Sequence, residues 1–503
     1  MSRGLYHTAT LAWLALAAAC SAAAPSGGSP GSTSQAVSGT CATPVIIDQS
    51  LFVALDNTEG ATNPLGVAAL ANFSFKSVMD QIIATGAQNS GQTALQLYQQ
   101  MLNTLNKPPC TGTINGFPVD CPRDEGILAN TNPFTGKGST PGGKLVPVAL
   151  VNRFDLAPAN GANCGEYRVV FGMQDDPPPV SRFLFIFEAT LPNPVPSQGL
   201  AACLPVAQFW DNLSASGITQ DEFVSQLQAF YFDGIPGLPG NPAFSPVITA
   251  QNYGIGAPEN TNTGQIRANF LSNDWQLREW TLSQSCSGNP EACTLTANNT
   301  MTKNNPFGAL FANGATGVGA TFQTEFIKQV KSLAGTTIPL ISMKTPNVDN
   351  AGQSSEQDST NDYACQAGEG HASGDPFCGS NPPNTNLVDA IQTELTALGN
   401  TTLTAQDILQ RSTTQSCAGC HQLSPGTNLG GGLTWPPSES FTQVDEEGAQ
   451  SVALTGTFLP FRSKVLTKFI DKHCGGGDAG SDSGVEDADG SVTVGGQVTG
   501  SAN

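Results

Sequence analysis

Charge is scarce in this chain, and positive charge is the scarcest. Only 12% of the 503 residues are charged, and 20 basic residues stand against 40 acidic ones, which gives a formal net charge of −20. A chain this acidic repels a phosphate backbone, because like charges meet at every approach. We therefore expect no nucleic-acid partner.

Long apolar runs are also absent after the first 20 residues, so no later segment has the roughly 18 apolar residues of a membrane-spanning helix. The N-terminal run "TATLAWLALAAAC" is too short to span. It follows a segment with one Arg and no acid, and it ends in small residues. This order predicts a signal peptide over residues 1–19, so a membrane would be met only through the N-terminus.

Familiar catalytic signatures are missing as well. Between residues 42 and 474 the chain contains no GxSxG, HExxH, Walker loop or dinucleotide fingerprint. After signal removal no histidine precedes His371, which disfavours a Ser-His-Asp triad in the larger part of the chain. No internal repeat is visible, so solenoids and propellers are not expected.

The arrangement around Cys20 resembles the lipobox of bacterial lipoproteins, because a cysteine directly follows "AAA". The resemblance implies that Cys20 is lipid-modified, with a plain secreted protein as the alternative. Ser21 after the cysteine resembles signals for the outer membrane. We expect an exported lipoprotein of the outer membrane or facing the periplasm, with the cell surface as a further option. Residues 20–41 would form a flexible tether, and residues 475–503 a disordered acidic tail.

More than 400 residues lie between tether and tail, enough for two or three domains. Hydrophobic spacing predicts a mainly antiparallel α+β domain over 42–343, with "RFLFIFEA" as a central buried strand. The polar segment 344–385 is predicted to be a disulfide-stapled linker. Residues 386–474 then form a small all-helical unit, whose second helix starts with Thr404 and Asp407 as a capping box.

Thirteen cysteines indicate an oxidising compartment. Without Cys20 the count is even, and it stays even if Cys417 and Cys420 are set aside. Sequence alone does not fix the pairing. The five bridges that close spacing and elimination favour are Cys110–Cys121, Cys164–Cys203, Cys286–Cys293, Cys365–Cys378 and Cys41–Cys474.

The stretch "QSCAGCHQLSPG", residues 415–426, carries the strongest chemical signal. Covalent haem attachment needs two thiols at a short fixed spacing and a histidine directly after them, which Cys417, Cys420 and His421 supply. A zinc site wants four ligands, and no second close Cys/His cluster exists. A redox dithiol wants its pair at a helix start after a strand, whereas this pair follows a helix. Haem is favoured, with a Cys417–Cys420 disulfide or structural dithiol as the alternative.

This part of the chain resembles the c-type cytochromes, with a helix leading into CxxCH, a Gly-rich passage "GTNLGGGL" and a closing amphipathic helix. The resemblance is confined to residues 386–474. It implies one haem c with its iron, electron transfer, thioether bonds to Cys417 and Cys420, and His421 as the proximal ligand. Trp435 in "LTWPP" is a candidate wall of the haem site. The phrases "RFDL" and "CGEYR" before "CAGCH" also resemble a group of bacterial lipoproteins without an assigned activity.

The second axial ligand is where the sequence departs from this resemblance. Many single-haem members place a Met after the motif, and here no Met follows Met343. The candidates are His473 on the closing helix, His371 in the stapled segment, Met343, or an open position. The alternative interpretations are a helix-end residue for His473 and a solvent-exposed loop residue for His371.

A second cluster of charged residues lies in the predicted α+β domain. Opposed Arg and carboxylate side chains bind substrates or act as acid and base, but they more often form structural ion pairs that bracket strands. The structural interpretation is favoured here. The residues are Arg153, Asp155, Glu166, Arg168 and Glu188.

These patterns together predict a cell-envelope lipoprotein with one covalent haem. It would exchange electrons with a redox partner protein or a small-molecule donor or acceptor, as an electron carrier rather than a catalyst. One alternative is a peroxidase-like haem enzyme with an open sixth position. The other is a non-haem binding or structural surface lipoprotein in which Cys417 and Cys420 are bridged.

Overall fold

The computed structural model describes residues 48–56, 60–106, 112–135, 143–174, 182–255, 264–271, 274–288, 291–314, 316–355, 361–368, 383–438 and 441–474. The predictions for the signal peptide, Cys20, the tether, His371 and the acidic tail fall outside these residues.

An eight-stranded antiparallel sheet forms the centre of the fold, and a separate hairpin pairs β2 with β3. The long strands arise from segments rich in β-branched and aromatic residues. The strands are β1 Phe52–Ala54, β2 Thr113–Ile114, β3 Phe117–Pro118, β4 Lys144–Arg153, β5 Asn163–Gln174, β6 Phe183–Pro192, β7 Gln265–Leu271, β8 Trp275–Ser287, β9 Ala292–Thr300 and β10 Ser354–Ser355.

The strand order in the sheet is β1-β4-β5-β6-β7-β8-β10, and β9 pairs with the far part of β8. The apolar run "RFLFIFEA" thus supplies the central strand β6, as its pattern predicts. Pro147 lies in β4 outside the residues that pair with β1. This is the edge position that its missing N–H predicts.

Several helices begin at side-chain caps. Thr93, Thr219 and Thr404 each close a capping box with the residue three places on. None of the helices within the described ranges is both long and apolar enough to cross a membrane. The α-helices are α1 Pro64–Leu70, α2 Phe75–Gly86, α3 Ala94–Asn103, α4 Leu204–Asn212, α5 Gln220–Gln228, α6 Val318–Ile327, α7 Val330–Leu333, α8 Tyr363–Gln366, α9 Thr385–Ala397, α10 Ala405–Thr413 and α11 Leu459–Cys474.

One face of the sheet carries an aromatic core. Phe171 of β5 and Phe185 of β6 meet the ring of Phe75 on α2 edge-on, with centroids 5.1 and 5.2 Å away. Trp280 of β8 stacks on Phe185 at 6.2 Å. Because side chains alternate along a strand, the residues between these point to the opposite face.

The opposite face carries charged residues, and the C-terminal part of the chain covers it. The backbone of Glu446 lies so close to Gly172 of β5 that a Cβ there would be 2.1 Å from the Glu446 carbonyl oxygen. Trp275 of β8 stacks on His421 with ring centroids 5.0 Å apart. A charged strand face usually meets water, whereas this one is buried under protein.

The structure does not confirm the predicted division into an α+β domain and a separate helical unit. One apolar core extends from Leu51 to Ile470, and the described residues belong to one compact unit. The reason is that the charged sheet face needs the C-terminal elements as its cover. The predicted linker also supplies β10, which pairs with β8. The mixed α and β class with a mainly antiparallel sheet is confirmed.

Disulfides tie down the loops of this fold. The predicted bridges Cys164–Cys203 and Cys286–Cys293 are both present. Cys121, Cys365 and Cys474 are disulfide-bonded as well. Their predicted partners Cys110, Cys378 and Cys41 lie outside the described residues.

Candidate functional site

The CAGCH motif lies on a tight helical turn after α10. This helix ends at Thr413, and a π-helical turn follows over Gly419–Leu423. A Cβ on Gly419 would lie 1.8 Å from the carbonyl oxygen of Thr413. The glycine between the two cysteines is therefore a steric requirement of the turn.

Cys417 and Cys420 both carry thiols, so the predicted alternative of a Cys417–Cys420 disulfide is not what the structure has. Cys417 packs with Trp275 and Leu277 of β8. Cys420 belongs to the main core, and its Sγ lies 3.4 Å from Oγ1 of Thr442. The two cysteines thus pack against different parts of the chain. Burial raises the pKa of Cys420 to about 12.

Hydrogen bonds from distant segments hold the motif backbone. The Cys417 N–H donates to Oδ1 of Asn305 at 3.3 Å, and the Ala418 N–H donates to Oγ of Ser354 at 2.9 Å. The indole N–H of Trp435 donates to the Cys420 carbonyl at 3.2 Å. Trp435 thus contacts the motif through its N–H group, and its role as a wall of the haem site stays a prediction.

His421 is held at its backbone and is unsatisfied at its ring. Ser438 donates a hydrogen bond to the His421 carbonyl at 2.8 Å, and the ring lies at 24° to that of Trp275. The side chain is buried, yet neither Nδ1 nor Nε2 has a hydrogen-bond partner within the described residues. Burial, followed by Arg182 and Arg267, lowers the pKa of His421 to about 3. The imidazole is neutral at physiological pH and offers a nitrogen lone pair.

The structure does not bring His473 to His421. The His473 ring lies 4.6 Å from Phe469, which in turn lies 4.6 Å from Phe154 at the end of β4. The pairing of β4 with β5, β6, β7 and β8 shows how far this end of β4 lies from Trp275. Measured along the strand direction, the two are about eight residues apart, which corresponds to roughly 26 Å. Axial ligands of one iron flank a single atom, so His473 does not fill this role in the arrangement described.

Met343 is buried in a segment that approaches the motif more closely. The next residue but one, Thr345, donates its N–H to Oδ1 of Asn304 at 3.3 Å. Asn304 precedes Asn305, which accepts the hydrogen bond from Cys417. Of the candidate sixth ligands that the structure describes, Met343 is therefore in the better position.

The predicted charged cluster is larger than the sequence indicates, and we call it the buried charge layer. Arg267 is its centre, with Nε 3.1 Å from Glu188 and Nη2 2.7 Å from Glu279. Arg168 lies between two carboxylates: its Nη2 is 2.7 Å from Glu166 and its Nη1 is 3.1 Å from Glu188. The members of the buried charge layer are Arg153, Asp155, Glu166, Arg168, Glu188, Arg267, Glu279, Lys303 and Arg462.

Two members of the buried charge layer, Glu279 and Lys303, have pKa values shifted by burial. Burial raises the pKa of Glu279, and the attraction of Arg267 opposes that shift. Burial lowers the pKa of Lys303 against the attraction of the same Glu279. Both shifts favour the uncharged forms, as expected for ionisable groups removed from water.

The layer and the motif are electrostatic neighbours. Burial lowers the pKa of Arg267, but the negative charges of Glu188 and Glu279 raise it by more. An ionised Cys417 would add to this rise. Arg182, which holds Glu446 at 2.8 Å, acts on His421. The "RFDL", "CGEYR" and "CAGCH" phrases therefore border the same face of one sheet.

Comparisons of this chain with protein-family models, with curated proteins and with solved structures find no match.

Sequence reasoning missed Trp275, Thr442 and Asn305, which contact the motif from far along the chain. The position of Trp275 could have been predicted, because it is the first residue of β8. Side chains alternate along a strand, so Trp275 lies on the same face as Glu279. Asn305 and Thr442 lie in irregular segments, where no periodicity indicates the direction of a side chain.

The haem-free protein is expected to lose stability in acid partly through His421. Its folded pKa of about 3 lies below the ordinary value of 6.5, so the unfolded state binds the extra proton as pH falls between these values. The contribution is full above pH 6.5 and falls by about 1.4 kcal/mol per pH unit below it. Urea unfolding from pH 7 to pH 4 should show this steeper slope relative to His421→Phe. Equal slopes would mean that the imidazole is solvated.

Proposed function

We propose that the protein is an exported lipoprotein that binds one covalent c-type haem at Cys417, Cys420 and His421 and transfers electrons. The supporting observation is a contrast among the cysteines. Every other described cysteine is disulfide-bonded, whereas these two carry thiols. Directly beside them, His421 is a buried imidazole whose two nitrogens have no hydrogen-bond partner among the residues that the structure describes. Thiols and a neutral imidazole are the donor set that haem c requires.

Attachment of haem would need both residues as thiols. Each S–H adds across one vinyl group, so that a carbon–sulfur bond forms and the hydrogen goes to the neighbouring vinyl carbon. No electrons leave the system, and no oxidant is consumed. A Cys417–Cys420 disulfide would block this addition, whereas the thiols of the present structure permit it.

Once bound, haem would supply one-electron chemistry at iron, and the protein would supply the ligand and its surroundings. His421 presents an unprotonated nitrogen at neutral pH because burial holds its pKa low. Trp275 fixes the plane of the imidazole by stacking on it. Burial of the site excludes water, which raises the energetic weight of every nearby charge.

The expected partner is a redox protein or a small-molecule electron donor or acceptor. A net charge of −20 favours a basic surface on a protein partner, because opposite charges steer association. The lipid on Cys20 would keep the molecule at the membrane, and no membrane contact beyond this anchor is proposed.

A haem enzyme with an open sixth position is the second candidate. It is favoured by the position of His473, which lies far from His421 across the sheet. Cyanide separates the two candidates. An open iron would shift its visible spectrum within seconds of mixing, whereas an iron with a Met343 ligand would respond slowly or not at all.

The proposal is tested by an alkaline pyridine haemochrome spectrum of the mature protein, made in a host that matures c-type cytochromes. We expect a c-type spectrum that survives extraction with acidified acetone, at one haem per chain. The double variant Cys417→Ala/Cys420→Ala should retain no covalent haem, because both thioether bonds need a thiol. The matched control Cys286→Ala/Cys293→Ala, which opens an ordinary bridge, should retain it. A colourless wild-type protein with intact thiols would refute the proposal.

A further inference from the structure

The buried charge layer is not electrically balanced. Among the described residues it holds five basic side chains against four carboxylates, and seven of these nine residues are buried, while Glu166 and Lys303 are part-buried. A protein interior normally matches such charges, because an unmatched buried ion loses its hydration without compensation. Within the part of the chain that the structure describes, the excess is one positive charge, and the contacts at one end of the layer indicate its place.

The unmatched charge belongs to the pair Arg153 and Arg462. Arg153 binds Asp155 through Nε and Nη2, each at 3.0 Å. Arg462 of α11 has the same Asp155 at 3.9 Å, too far for a strong hydrogen bond. Two guanidinium groups thus share one carboxylate. Burial, followed by repulsion from Arg153, lowers the pKa of Arg462.

Three buried N–H donors in this cluster have no acceptor among the described residues. They are Nη1 of Arg153, Nη2 of Arg462 and Nε2 of Gln443. The orientation of Gln443 is set by its Oε1, which accepts from Nη1 of Arg462 at 3.4 Å. Turning the amide over would present a donor to a donor. The exposed fractions of Arg153, Arg462 and Gln443 are 0%, 3% and 3%.

A bound anion would supply both the missing acceptors for these donors and the missing negative charge. A guanidinium stays protonated in proteins, so the charge is not removed by deprotonation. A buried water would accept hydrogen bonds but would leave the charge in place. A phosphate or sulfate would bring more negative charge than the excess. A carboxylate brings one charge and two acceptor oxygens in the planar geometry that a guanidinium fork matches.

We propose that Arg153, Arg462 and Gln443 form a buried binding site for one small monoanion of the carboxylate class. Arg153 lies at the end of β4, next to Asp155, whereas Gln443 follows Thr442, whose Oγ1 lies 3.4 Å from the Sγ of Cys420. The three residues are not among the proposed haem ligands, and the test below uses haem-free protein. Its occupant joins α11 to the sheet, because Arg462 and Arg153 come from these two elements.

Formate is the probe for this site. The full mature chain is first unfolded and freed of small molecules, and the extract is assayed by ion chromatography, where about one equivalent of monoanion is expected. The refolded, anion-free protein is then heated in rising formate at constant ionic strength. We expect a saturable rise in Tm of about 3 °C at about 100 times the dissociation constant. Sulfate at the same ionic strength should give no saturable rise.

Three variants give the test its specificity. Arg462→Met should bind no formate and should release no anion. Gln443→Leu keeps the charge but removes one donor, so its formate affinity should fall about tenfold, and it decides the question if Arg462→Met does not fold. Arg182→Met, which loses a cation outside the site, should respond as the wild type does. A wild-type protein that releases no anion and shows no saturable response to formate would overturn the proposal, as would an equal response to sulfate.

Discussion

Arg267→Met is expected to lower the free energy of unfolding by about 3–5 kcal/mol, since it removes one partner of two buried ion pairs. Glu279 would lose its guanidinium, and Glu188 would keep only Arg168. Glu188 and Glu279 both depend on this guanidinium, and all three side chains are at most 2% exposed. The measurement is urea unfolding of the haem-free protein at pH 7, where both carboxylates of the unfolded chain are ionised and solvated.

Two further variants show whether charge is the cause. Arg182→Met breaks the pair with Glu446, in which the Arg side chain is 30% exposed, and should cost about 1 kcal/mol or less. Adding Glu279→Gln to Arg267→Met should recover a measurable part of the loss, because one unpaired carboxylate disappears. A loss below about 1 kcal/mol for Arg267→Met would show that water reaches the layer.

Gly419→Ala is expected to be the most damaging single-methyl change in the motif. The new Cβ would lie 1.8 Å from the backbone oxygen of Thr413, and backbone cannot rotate away as a side chain can. The turn between the cysteines would have to open, at a cost of about 3 kcal/mol in unfolding free energy. If the haem proposal is correct, the yield of covalent haem should fall as well, because the two thiols would lose their spacing.

Gly456→Ala is the matched control for this prediction. Gly456 lies in a π-helical turn, Leu454–Phe458, and a Cβ there would meet no atom within 4 Å. The change should leave stability the same or raise it slightly, because alanine has fewer unfolded conformations to lose. Chemical denaturation of both variants gives the comparison. Equal stabilities for the two alanine variants would mean that the turn at Gly419 is looser than the structure has it.

Most of the secondary structure could be predicted from the sequence, because the spacing of apolar residues within each segment indicates a helix or a strand. The apolar run of β6 and the capping box at Thr404 are examples. β9 was missed, although Cys293, Leu295 and Ala297 alternate as a half-buried strand should. Close spacing also predicted the bridge of Cys286 to Cys293.

The division into two domains could not be judged from the sequence, because the decisive contacts join distant residues. Glu166 and Arg168 alternate with buried Tyr167, which is the usual pattern of a strand with one wet face. Nothing near them in sequence shows that the segment around Glu446 lies over that face. The same distance hides the stacking of Trp275 on His421, which joins the two halves of the candidate site.

The cover over the charged face has a consequence for the order of events during synthesis of the chain. A chain that emerges N-terminus first presents the whole sheet before α11, and with it Arg462, has appeared. Until then the layer is wet and the segment of Cys417, Cys420 and His421 is accessible. Once the last helix docks, all three side chains are at most 1% exposed. Any enzyme that modifies these residues must therefore act within the interval between the arrival of the motif and the closure of the C-terminus.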